Sequence, residues 1–127
     1  MTDADTAVML GSGDVPVLAT PRLISWLEAE TVRAAAPFTV MGRTTVGTAI
    51  RVEHLRATRV GARVEVTAEP PAAATSGGRL TFPVRAVDDS GATVARGEID
   101  RAIVDRRRFL AGAHGPAAAP PGPTPND

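Results

Sequence analysis

Apolar residues recur along this chain at two periods. Over residues 19–37 (ATPRLISWLEAETVRAAAP) the spacing is helical, with Leu23, Ile24, Leu27, Thr31, Ala34 and Ala35 on one arc and Arg22, Ser25 and Arg33 roughly opposite. Thr20 offers a hydroxyl as N-cap, Pro21 suits the first helical position, and Pro37 ends the run. After it the period is two. Over residues 44–58 (TTVGTAIRVEHLRAT), Val46, Thr48, Ile50, Val52 and His54 take one face, and Thr45, Gly47, Ala49, Arg51 and Glu53 the other. Residues 62–69 place Ala62, Val64, Val66 and Ala68 inward, and beyond a Pro- and Gly-containing loop Leu80, Phe82, Val84 and Ala86 form another inward row. Pro83, lacking an N–H, is expected at a sheet edge or a bulge. The turn Asp88-Asp89-Ser90-Gly91 leads to a last strand over residues 92–104, and residues 106–110 are predicted to form one helical turn. One long helix and four antiparallel strands at hairpin spacing predict an α+β protein whose sheet wraps around the helix.

Composition removes several function classes. The 14 arginines balance 14 acidic residues, so no net field points to nucleic acid or an anionic membrane. With no cysteine there is no disulfide, thiolate nucleophile or thiolate-bound metal. Histidine occurs only at 54 and 114, and His114 lies in the Pro/Ala/Gly-rich residues 112–127, which are expected to be a disordered tail behind one domain over 1–111. No metal site is expected. No apolar run approaches the roughly 20 residues of a membrane span and no signal-peptide pattern opens the chain, so the cytoplasm is the expected compartment.

Two carboxylates flank the apolar arc of the helix. Glu30 has Arg33 three residues on, a helix-surface ion pair, whereas Glu28 has no cation at neighbouring positions. His54 continues an apolar row and is the one histidine placed to titrate usefully. Each residue also has an ordinary structural explanation: Thr20 as a cap, Glu28 as a solvated shoulder, His54 as hydrogen-bonded core.

The segments GSGDVPVLATPRL, LEAETV, VGTAIRVEHLRAT and GEIDRAIVDRRRFL, in this order and spacing, resemble the fluoroacetyl-CoA-thioesterase-like branch of the hotdog-fold thioesterases. The resemblance implies a hotdog fold and an acyl-CoA thioesterase site in which Thr20, Glu28 and His54 are catalytic. It implies substrate contacts at Gly47, near the acyl carbonyl, and at Arg101 on the last strand. It also implies a homodimer with the site at the subunit interface, acyl-CoA as substrate and no cofactor beyond the coenzyme A the substrate carries. Relatives begin with a further strand ahead of the part matching Thr2, so the first strand of the fold is expected to be either absent or encoded ahead of the start at Met1. Gly11 and Asp14 stand where the fluoroacetate-specialised relative has aromatic lid residues, which argues against fluoroacetyl-CoA as the substrate. Arg106-Arg107-Arg108 is either a solvated run or a contact for coenzyme A phosphates. The competing function is a non-catalytic module that binds acyl-CoA or another small ligand.

Overall fold

Four strands, β1 (Arg43–His54), β2 (Val64–Ala68), β3 (Arg79–Asp88) and β4 (Thr93–Asp105), form one antiparallel sheet in the order β1-β4-β3-β2. The structure, a computed structural model, describes residues 1–71 and 77–113. Three helices accompany the sheet: α1 (Ala7–Leu10), α2 (Thr20–Ala34) and α3 (Arg106–Ala113). Helix α2 lies across one face of the sheet and buries Leu23, Leu27 and Thr31, the arc its periodicity predicts. Opposite stand Leu80, Phe82, Val84 and Ala86 of β3 with Ala95 and Ile99 of β4, all buried in the same core. Burying each large side chain contributes about 1.5–3 kcal/mol, so this helix–sheet contact dominates the stability of the fold.

Several local expectations need correction. Ala19, not Thr20, is the N-cap of α2, and its side chain caps nothing. Pro83 sits in an interior strand, where its carbonyl accepts from Glu69 N–H at 2.8 Å. The N–H it lacks would point the same way, just past the end of β2, so Pro83 ends the β2–β3 ladder without breaking the sheet. Helix α3 is longer than one turn and takes in Gly112 and Ala113, the first two residues assigned to the tail. The remainder of that tail, with His114, lies outside the described residues.

The consequential correction concerns β1. Its register against β4 shifts between Gly47 and Ala49, leaving Thr48 as the extra residue of a β-bulge. One inserted residue exchanges the two faces beyond it. Thr45 and Gly47 before the bulge therefore share the helix side with Ile50, Val52 and His54 after it, instead of lying opposite them. Gly97 on β4, the partner of Val52, makes close pairing possible, since a Cβ there would lie 1.9 Å from the Arg51 carbonyl oxygen.

The N-terminal segment runs beside the approach to β2. Leu18 N–H donates to Thr58 C=O at 2.9 Å, the Met1 amino group to Ala62 C=O at 3.1 Å, and Val17 bridges Arg59.

Candidate active site

The site residues are set by α2 and β1, which run antiparallel, so the start of the helix meets the end of the strand. Because Ala19 is the cap, the Thr20 hydroxyl is free to turn outward, and its Oγ1 lies 2.8 Å from His54 Nδ1. The other ring nitrogen, Nε2, is buried and has no hydrogen-bond partner among the described residues. Burial holds the imidazole below its ordinary pKa of 6.5, against a smaller opposing effect of the Arg56 backbone. A neutral imidazole with one nitrogen fixed by a hydroxyl and the other unpartnered is arranged to pass a proton.

Two turns further along α2 stands a second cluster. Glu28 is half-buried, with Oε2 3.8 Å from Arg101 Nη1. A Cβ on Gly47 would lie 2.9 Å from the same Oε2 and 3.6 Å from that Nη1, so the carboxylate occupies space that the glycine leaves open. Arg101 is itself buried. Its Nε donates to Thr45 Oγ1 at 2.9 Å, its Nη2 to Thr45 C=O at 3.1 Å and its Nη1 to Thr31 Oγ1 at 3.5 Å. Burial lowers the pKa of this guanidinium while Glu28 raises it, and an arginine with such a partner stays a cation. Glu28 thus lacks a helical partner, as its sequence context predicts, but has a tertiary one. Glu30 pairs with Arg33 as expected.

All five sequence-derived residues line the helix–sheet face, but in two groups. Thr20 and His54 form one, and Glu28, Gly47 and Arg101 the other. Thr20 and Glu28 are eight residues apart, about 12 Å along the helix axis. Thr31 and Thr45 complete the second group and were missed by sequence reasoning. Thr31 left a signal, being a polar residue on the buried arc; Thr45 left none, because the bulge reverses its predicted face.

A cavity of about 330 Å³ opens beside Thr20 and His54, walled by Ala7, Val15, Val17, Leu55 and Ala57. Among the described residues no Phe, Tyr or Trp lines it. Gly11 takes a left-handed conformation (φ 68°) at the end of α1, and Asp14 is exposed. A larger depression, about 770 Å³, lies on the other face of the sheet among Arg51, Arg85, Arg96 and Glu98 and contains none of the five residues. There Arg51 bonds Asp100 through both terminal nitrogens and holds its carboxyl down to about 2, with help from Thr81 Oγ1. Among the described residues no cluster of His, Cys, Asp or Glu could hold a metal ion, and no helix is long and apolar enough to cross a membrane.

Residues 1–107 match the sequence profile of the family described as fluoroacetyl-CoA-specific thioesterase. The fluoroacetyl-CoA thioesterase of Streptantibioticus cattleyicolor is 37% identical over 95 residues, which are 75% of this chain and 66% of that protein, just short of two thirds of its length. A crystal structure of a mutant fluoroacetyl-CoA-specific thioesterase in complex with fluoroacetate and CoA superposes with a TM-score of 0.77 at 31% identity, covering 89% of this chain and 91% of that one. A hot-dog-like protein from Thermanaerovibrio acidaminovorans shares the fold at 21% identity, with a TM-score of 0.73 over 92% of this chain and 87% of that one.

Proposed function

Since this chain belongs to the fluoroacetyl-CoA-specific thioesterase family, a family of thioester hydrolases with the hotdog fold, we propose that it hydrolyses a small acyl-CoA thioester at Thr20, Glu28 and His54. The observation that carries this reading is the 2.8 Å contact between Thr20 Oγ1 and His54 Nδ1 beside an otherwise unpartnered buried Nε2. His54 serves as general base and then general acid. If water, oriented by Glu28, adds to the thioester carbonyl, His54 takes its proton and gives it to the CoA thiolate as the C–S bond breaks. If the Glu28 carboxylate adds, the C–S bond breaks to leave an anhydride. His54 takes the proton from the water that then cleaves it, releasing the acid and the Glu28 carboxylate, and passes that proton to the CoA thiolate. Thr20 positions the ring. Glu28 supplies the carboxylate at the acyl carbon, as nucleophile or as the group that orients water, and Arg101 holds it in place. The backbone at Gly47 lies beside the acyl carbonyl, where charge develops. No cofactor takes part beyond the CoA of the substrate, and such a substrate places the reaction in the cytoplasm. The cavity, lined by no Phe, Tyr or Trp among the described residues, favours an acyl group other than fluoroacetyl.

The separation of the two groups supports a site shared between two copies of the chain. β1 is an edge strand with one side unpaired, and Ile50, on its helix side, is 44% exposed. Antiparallel pairing of β1 with a second β1 centred on Arg51 opposite Arg51, with Thr48 left as the extra residue as it is against β4, would set Gly47 of one copy opposite His54 of the other on the shared helix side. That register joins Glu28, Gly47 and Arg101 from one subunit to Thr20 and His54 from its partner.

The test is thiol release across short, branched and aryl acyl-CoAs. His54→Ala and Glu28→Gln should each lower turnover by about 100-fold or more. Undiminished hydrolysis after either substitution would remove that residue from the reaction. Thermal stabilisation by acyl-CoA with no thiol released by the unsubstituted protein would mark a binding module instead.

A further inference from the structure

At the end of the sheet away from Thr20 and His54, four arginines collect. Arg43 opens β1, and Arg106, Arg107 and Arg108 open α3. All four are exposed, and none has a carboxylate partner among the described residues, a condition shared by Arg59, Arg63 and Arg85 elsewhere in the chain, whereas Arg22, Arg33, Arg51, Arg56, Arg96 and Arg101 are each paired with one. The backbone holds them together. Arg106 N–H donates to Gly42 C=O at 2.9 Å, which ties the start of α3 to the turn before β1. Asp105, which precedes Arg106 and stands opposite Arg43 in the β1–β4 register, accepts Arg108 N–H through Oδ1 at 2.8 Å and so caps α3. Depressions of about 400 Å³ and 620 Å³ flank this junction, the first lined by Arg43 and Arg108, the second by Arg106 and Arg107, with Asp105 lining both, so two arginines face one carboxylate in each.

A protein with no net charge therefore carries a local excess of unpaired guanidinium at one corner. Guanidinium groups bind phosphate oxygens in paired hydrogen bonds. Arg43 shares the helix side of β1 with Gly47, four residues on, which is about 13 Å of extended strand and within the reach of a pantetheine arm. We propose that Arg43, Arg106, Arg107 and Arg108 bind the phosphates of the CoA nucleotide, anchoring the end of the substrate remote from the thioester. This rests on the acyl-CoA reading above and assigns a phosphate site to residues that take no part in the chemistry.

The experiment compares one acyl group carried on CoA and on N-acetylcysteamine, which has no phosphates. R106Q/R107Q/R108Q and, separately, R43Q should raise KM for the acyl-CoA, the triple variant by about tenfold, as the sum of several exposed charge contacts. The same variants should leave kcat, and KM for the truncated thioester, unchanged. Added salt should weaken the acyl-CoA alone. Equal effects on both substrates, or no effect on either, would overturn the assignment. Calorimetric binding of CoA and of pantetheine decides the question without turnover: the unsubstituted protein should prefer CoA and the triple variant should lose the preference, while equal affinities in the unsubstituted protein overturn it. Failure of the unsubstituted protein to cleave either thioester would refute the hydrolytic reading and leave this binding comparison valid.

Discussion

Ala at the N-cap of α2 forgoes about 1 kcal/mol that a hydroxyl or amide side chain would contribute, and leaves the Thr20 hydroxyl to His54. The histidine gains a fixed orientation but no charge partner, so burial governs its titration. Its pKa in the folded protein lies below the ordinary 6.5, which means that between those two values the unfolded chain binds a proton that the native chain does not. The stability contributed by the neutral ring is complete above pH 6.5 and is lost as pH falls through this window. Activity should follow the same group. The acidic limb of kcat/KM, measured over a pH series with a saturable acyl-CoA, should be centred below 6.5 where burial governs the ring, and a limb centred above it would show that a carboxylate brought up by a second copy, not burial, governs the titration.

At the scale of elements, the bulge at Thr48 decides what β1 presents to the helix. Without it Gly47 and His54 would face opposite sides of the sheet, and no helix could meet both. With it, Gly47 admits the Glu28 carboxylate to the strand surface. Replacing this glycine tests the contact. In Gly47→Ala the new methyl meets only the far end of a flexible side chain, so thermal stability should change by less than about 1 kcal/mol. The displaced carboxylate should lower kcat/KM by about 100-fold. A variant that melts early with intact activity would make Gly47 a purely structural glycine.

At the scale of the molecule, the question is whether one chain completes a site. A mixture of the inactive His54→Ala and Glu28→Gln proteins, dissociated and reassembled together, distinguishes the arrangements. If Glu28 of one subunit works with His54 of the other, hybrid dimers carry one intact site, and activity should recover to about a quarter of the unsubstituted level. If each chain keeps its own site, mixing restores nothing. The same experiment bears on the open edge of β1, because recovery requires a contact that brings His54 at the end of β1 in one chain to Glu28 of the other.

The α+β class, the single long helix with its buried arc, the inward row of β3 and the isolation of Glu28 from helical cations were all legible in the sequence. They follow from periodicity and from neighbours within one or two turns, which a linear pattern records directly. The resemblance supplied Thr20, Glu28, His54, Gly47 and Arg101 as a set, while strict alternation placed Gly47 and His54 on opposite faces. Only the tertiary structure reconciled them, through one extra residue in a strand whose alternation looks unbroken, because a bulge is a property of pairing with β4 and leaves no mark on β1 by itself. The freedom of Thr20 from capping, the burial of Arg101 against Thr45 and Thr31, and the convergence of Arg43 with Arg106–Arg108 were likewise decided by contacts between residues 34 to 70 positions apart.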